Sequence, residues 1–232
     1  MIKKILNEVK KYKYKLDLVW FILFPIFNVV YIIANNMYKQ GHNLTIALDR
    51  QIPLIPIFII PYVYWYLYMI IGYAVISVRN RQWYMKGLIG LFIGMWISYL
   101  IYFIFPTEIV RPVISEGGIL NNLIKIIYNS DRPFNCFPSL HVLGTYFVMK
   151  MTKKENNKGL FIYTQIVGFL IILSTLFIKQ HYVLDVVVSI ILVEVIMFFM
   201  NKVKNENIDK ILNLPYSALV AIKKKYKQLQ VN

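Results

Sequence analysis

The chain is written as long apolar blocks separated by short basic ones. Apolar runs fall at about 18–36, 54–78, 87–105, 159–178 and 182–200. Each is long enough to cross about 30 Å of hydrocarbon as a helix, which takes roughly 17–25 residues. A sixth run, 138–152, is shorter and opens on Pro138, a good first-turn residue because its missing N–H costs the helix nothing there. At 1.5 Å per residue it covers only about 22 Å. Its outer end is therefore expected below the membrane surface, in a pocket walled by the longer helices. The basic N-terminus followed by an apolar stretch has the outline of a secretory signal. The stretch is long, however, and no small-residue cleavage site follows, so it counts as a first span. No internal repeat or low-complexity linker breaks the pattern. It predicts an all-α integral membrane six-helix bundle: a basic amphipathic segment at 1–16, a six-span domain at 17–200 and a basic tail at 201–232.

Composition agrees with a lipid solvent. Hydrophobic residues make up 58% of the 232 and charged ones 16%, against about 45–50% and 25% in soluble domains. That excludes an ordinary soluble domain and a disordered chain. The net charge of +15 could suggest nucleic acid, but with so little other polar surface it points to a cytoplasmic membrane face. The single cysteine, Cys136, excludes a disulfide framework and a cysteine-based metal site.

Charge placement sets the orientation. Twenty of the 26 Lys and Arg fall in the N-terminal segment, the 79–86 and 150–158 loops and the C-terminal tail. Lys39, Arg50, Arg111, Lys125, Arg132 and Lys179 remain for the other side. The positive-inside rule then puts both termini in the cytoplasm and the loops 37–53, 106–137 and 179–181 outside. Segments 2–14 and 216–229 mix Lys with Ile, Leu, Val and Tyr. They suit either the anionic inner leaflet or plain solvation.

Three polar clusters interrupt this pattern. His181 and Asp185 are four apart at the start of the last span, which stacks them on one helix face. A carboxylate there can accept Nδ1–H and leave Nε2 unprotonated, as a histidine nucleophile or base requires. The alternative is an interfacial histidine over a buried, hydrogen-bonded aspartate. Ser139 and His141 occupy the first turn of the short helix, in Cys136-Phe137-Pro138-Ser139-Leu140-His141, where free N–H groups and the helix dipole favour an anion. Pro-Ser alone is simply a good helix start. Arg111-Pro112 lies just past the third span, and arginine's planar fork suits a phosphoryl group. An arginine in an outer loop can equally be solvated. The charge count puts all three clusters on one membrane face, where they can converge on one outward-facing active site.

In order and spacing, Arg111-Pro112, Pro138-Ser139-Leu140-His141 and Ser174…His181…Asp185 resemble the type 2 phosphatidic acid phosphatase superfamily. Its general pattern is Lys-(six residues)-Arg-Pro, Pro-Ser-Gly-His and Ser-Arg-(five residues)-His-(three residues)-Asp. The likeness covers about residues 50–200, and the variants look most like the branch of inositol phosphorylceramide synthases and bacterial relatives. The resemblance implies that His181 attacks phosphorus to form a phosphohistidine, that Asp185 orients it, and that His141 protonates the leaving alkoxide. It further implies that Arg111 and Ser139 bind phosphoryl oxygens. No metal or other cofactor is then needed, since fixed cations and helix N–H groups supply the positive field.

Two positions depart from the pattern. Ile104 stands where the family has its lysine, and Thr175 where it has an arginine. Lys179 and Arg132 are candidates to replace them at the phosphate. A weaker positive field suits a phosphodiester monoanion better than a monoester dianion. The expected activity is hydrolysis of a lipid phosphate at the plasma membrane. The alternatives are transfer of a phospho-headgroup to an alcohol, and a non-catalytic transporter or scaffold using His181, Asp185 and Glu194. The expected partners are the lipid substrate and the bilayer, with no nucleic acid. His42 is expected to be solvated, Glu194 to pair with a polar neighbour, and Cys136 to pack. The aromatic run Pro61–Tyr68 reads as packing with an interfacial belt, or as part of a groove through which lipid enters.

Overall fold

The computed structural model describes residues 17–154 and 157–229, so the expectation for 2–14 lies outside the described residues. In chain order the helices are α1 (Leu18–Met37), α2 (Ala47–Gln51), α3 (Pro56–Arg79), α4 (Arg81–Ile104), α5 (Ile119–Ser130), α6 (Leu140–Thr152), α7 (Lys158–Phe177), α8 (Val183–Lys202) and α9 (Asn205–Leu229). Two short strands, β1 (His42–Asn43) and β2 (Thr107–Glu108), pair in parallel. Among the described residues five helices, α1, α3, α4, α7 and α8, are long and apolar enough to cross a membrane.

The expected sixth is α6. Its 13 residues reach about 20 Å, and α3, α4, α7 and α8 all pack around it. Val142, Leu143, Phe147, Val148 and Met151 are completely buried. A glycine line on α4 makes this approach possible: a Cβ on Gly90 would come within 2.7 Å of Phe147, and one on Gly94 within 2.9 Å of Leu143. Small residues at such crossings bring backbones together where lipid provides no hydrophobic drive between helices. Tyrosine hydroxyls add cross-links. Tyr68 donates to Thr164 O at 3.0 Å, Tyr99 to Phe27 O at 2.9 Å and Tyr102 to Pro138 O at 2.6 Å.

Helix starts follow caps more than hydropathy. α4 begins at Arg81, six residues before its apolar run, because Asn80 Oδ1 accepts the Trp83 N–H at 3.1 Å. The outer stretch 106–137 is not a plain loop. It contains α5, whose Ile124 is buried against Ile59, Tyr62 and Ile178. The tail is also more than a solvated extension: in α9, Ile208 and Leu212 are buried in the main core, and α9 packs on α4.

Candidate active site

At one end of the bundle α4 and α7 finish and α3, α6 and α8 begin. Thr107 lays two chain segments side by side there. Its Oγ1 accepts the N–H groups of Cys136 at 3.1 Å and Phe137 at 3.2 Å, and its carbonyl accepts Asn135 N–H at 2.7 Å. Asn135, at φ 55°, anchors the same segment to α1 by donating Nδ2–H to Ala34 O at 2.8 Å. The Cys136 carbonyl is thereby presented to His181.

His181 Nδ1 is 3.0 Å from Cys136 O and 3.2 Å from Asp185 Oδ2. Both neighbours are acceptors, so the ring proton belongs on Nδ1 and Nε2 carries the free lone pair. Asp185 is completely buried, and its Oδ2 also accepts Tyr182 N–H at 2.9 Å, capping α8. One carboxylate oxygen thus sets both the helix start and the ring orientation. The His141 ring centroid lies 6.1 Å from that of His181 at an interplanar angle of 55°. His141 is packed against Tyr62 at 4.6 Å and Trp65 at 4.3 Å, and its Nε2 is buried without a hydrogen-bond partner.

His181 stands between two cavities. The first, of about 370 Å³, is shared with His141 and lined further by Tyr31, Tyr62, Trp65, Asp131 and Asn135, with an apolar side from Phe24, Ile32, Tyr66 and Leu140. The second, of about 290 Å³, is cationic, lined by Arg50, Arg111 and Lys179 together with Asp49. Arg111 is held by its own fork: Nη1 donates to Asp131 O at 2.6 Å and Tyr128 O at 3.2 Å, and Nη2 donates to Gln180 Oε1. Its Nε is buried and unpartnered. Lys179 donates to the carbonyls of Asp49, at 3.1 Å, and Ile52. Burial draws the Lys179 ammonium below the ordinary lysine value, against the pull of the Asp49 carboxylate.

Of the residues the sequence singled out, His181, His141 and Asp185 therefore meet, with Arg111 and Lys179 on the far side of His181. Ser139 is completely buried, and its Oγ caps α6 by accepting Val142 N–H at 3.3 Å. Thr175 is also buried and turns its hydroxyl back to Ile172 O at 2.7 Å. Arg132 donates to Asn36 O at 3.2 Å and lies over the Phe134 ring. These last three line neither cavity. Sequence reasoning passed over Asp131, Tyr31 and Arg50. Asp131 is adjacent to Arg132, which drew attention instead, and Tyr31 reaches the site only through the packing of α1. Tyr62 and Trp65, three apart in the aromatic run, form the wall behind His141. Glu194 is paired, accepting from Tyr146 at 2.6 Å and forming a salt bridge to Lys150 at 2.8 Å. His42 stacks on Phe105 at 4.3 Å.

No curated protein and no solved structure matches this chain. The model of the PAP2 superfamily matches residues 39–199, well over half of the chain, a stretch that includes Arg111, His141, Lys179, His181 and Asp185 but not the α1 residues of the first cavity. The chain is therefore a helical, phosphatase-type membrane protein that belongs to the PAP2 superfamily.

Proposed function

We propose that the chain is a lipid phosphate phosphatase acting through His181, at a site that opens on the outer face of the plasma membrane, with six spans and both termini in the cytoplasm. The observation that carries this reading is the pair of acceptors, Cys136 O and Asp185 Oδ2, at Nδ1 of His181, which assigns the ring proton there and leaves Nε2 its lone pair in a ring centred 6.1 Å from that of His141. Nε2 attacks phosphorus, the P–O bond to the lipid alcohol breaks, and His141 gives its proton to the leaving alkoxide. His141 then takes a proton from water. The resulting hydroxide attacks the phosphohistidine, the P–N bond breaks, and inorganic phosphate leaves with His181 restored. Asp185 stabilises the charge on His181 in between. Arg111, Lys179 and the α6 N-terminus, capped by Ser139, supply the positive field that phosphoryl transfer asks of a protein.

Headgroup transfer to an alcohol is the second reading, and a specific observation favours it. Ile104 is 81% exposed, and Thr175 spends its hydroxyl on its own helix. The two cations of the general pattern are thus absent, and a diester monoanion needs fewer. The motif likeness to inositol phosphorylceramide synthases points the same way.

The test is a panel of lipid phosphates and phosphodiesters offered to the protein in nanodiscs, with and without chelator and alcohol acceptor. Phosphate release from monoesters is expected of the hydrolase. A new phosphodiester formed only with the alcohol is expected of the transferase. Unchanged turnover in His181→Ala would remove the nucleophile, and loss with chelator would remove the metal-free mechanism. Solute uptake by sealed proteoliposomes without phosphate chemistry would favour a transporter. For topology, an impermeant thiol reagent should label Ser115→Cys but not Lys153→Cys in intact cells, in a Cys136→Ala background; the reverse inverts the orientation.

A further inference from the structure

The cavity beside His141 contains a carboxylate that phosphate chemistry does not require. Asp131, directly after α5, lines it together with both histidines. Its Oδ1 accepts from Tyr31 Oη at 2.6 Å and Asn35 Nδ2 at 2.9 Å. Its Oδ2 accepts no hydrogen bond among the described residues. Neither neighbouring arginine bonds the carboxylate: Arg111 donates to the Asp131 backbone carbonyl at 2.6 Å and Arg132 to Asn36 O at 3.2 Å. A carboxylate facing the same cavity as a phosphoryl group repels it in a low-dielectric site. The arrangement is favourable only when the ligand brings a hydrogen-bond donor of its own to the free oxygen.

We propose that Asp131, steadied by Tyr31, is a subsite for a hydroxyl or ammonium group lying close to the phosphoryl group of the reactants. The proposal rests on the reading of His181 and His141 as a phosphoryl-transfer pair and narrows its substrate class. The donor belongs either to the phospholipid, as a free backbone hydroxyl or amine, or to an acceptor alcohol. The apolar side of the cavity, with Phe24, Ile32 and Tyr66, receives the chain of the same molecule. Anchoring of α1 is a separate duty, to which Asp131 contributes through Oδ1 and its bonds from Tyr31 and Asn35.

Wild type, Asp131→Asn and Tyr31→Phe in nanodiscs separate these duties. An asparagine whose oxygen keeps the Tyr31 contact turns its NH₂ toward the cavity, donor against donor. The probes are a sphingoid-base phosphate, with a hydroxyl and an ammonium beside its phosphate, and a diacyl phosphatidate, which has neither. If the donor is on the lipid, Asp131→Asn is expected to lower kcat/KM for the sphingoid phosphate about tenfold or more while phosphatidate changes less than about twofold. If the donor is on the acceptor, both hydrolyses change alike and the KM for glycerol as acceptor rises about tenfold. Equal effects of both variants on every substrate, with the acceptor KM unchanged, would reduce Asp131 to an anchor. Binding followed by Trp65 fluorescence gives Kd ratios for the two lipids without turnover. A wild type that binds them differently through Asp131 yet turns over neither would thus sink the catalytic reading and keep the subsite; equal binding ratios in wild type and Asp131→Asn would sink the subsite.

Discussion

Gln180 Oε1 accepts a hydrogen bond from Nη2 of Arg111, so the residue directly before the proposed nucleophile aims the fork across the second cavity. The Gln180 Nε2 on the other side is buried and unpartnered. Gln180→Ala is expected to raise KM for a lipid phosphate about tenfold with a smaller change in kcat, since it loosens Arg111 without touching His181. Arg111→Lys loses the fork's simultaneous contacts to Tyr128, Asp131 and Gln180 and should cost more in kcat/KM than Gln180→Ala. Steady-state kinetics in nanodiscs check the order.

Asp185→Asn is expected to keep α8 in place and still slow the reaction by about a thousandfold, because the amide no longer stabilises the charged His181 ring. An oxygen remains available to cap Tyr182 N–H. Rapid-quench trapping of an acid-labile, base-stable phosphoprotein should find less of it in Asp185→Asn and none in His181→Ala.

Gly94→Ala pushes a methyl group within 2.9 Å of Leu143 Cδ1. Overpacking of this kind costs about 1–3 kcal/mol, and a lowered thermal midpoint in detergent should report it. An unchanged midpoint would mean that the Leu143 side chain repacks at no cost.

The Lys150–Glu194 pair gives a negative control. Glu194→Gln leaves the two-histidine site untouched, so turnover should stay within about twofold of wild type, a shift worth well under 1 kcal/mol. If Glu194 carried protons across the membrane, uptake in sealed proteoliposomes would fall in this variant while phosphate chemistry was absent from both.

Burial raises the Asp131 carboxyl above its ordinary range, against the Tyr31 hydrogen bond and the Arg111 charge. The folded protein therefore binds this proton more tightly than the unfolded chain does. The corresponding stability is present below the unfolded carboxylate value of about 3.9 and is lost as pH rises through the folded value. Asp131→Asn has no such dependence, so its thermal midpoint relative to wild type is expected to improve as pH climbs through that window. Parallel midpoint curves would show that Asp131 titrates normally.

Much of this architecture was legible because lipid imposes simple rules. Five apolar runs became five long helices within a few residues at most ends, and the four-residue spacing pointed to His181 and Asp185, although His181 precedes α8 and the two meet through the capping turn at Tyr182 rather than on one helix face. α5 escaped notice because it is amphipathic and twelve residues long, below what a search for spans detects. The docking of α9 depends on Ile208 and Leu212 meeting α4, a contact between distant segments that hydropathy does not encode. At the site, the chemistry of single side chains could be read, but not their aim. Ser139 and Thr175 turn to the backbone of their own helices and Arg132 to the Asn36 carbonyl of α1, while Asp131 and Tyr31 line the cavity through the hydrogen bonds that tie α1 to the end of α5. Helix rotation decides such matters, and one sequence does not carry it.

The brevity of α6 has one more consequence. Its first turn is level with the ends of its neighbours, since Tyr102 near the end of α4 donates to Pro138 O and Ser139 N–H meets Asp185 O at the start of α8. The missing length therefore falls at the other end, where Met151 already meets Gly87, six residues into α4. On the proposed reading, water and an alcohol then both reach His181 from the helix ends, and the lining of the first cavity, rather than its depth, sets the ratio of cleavage to transfer.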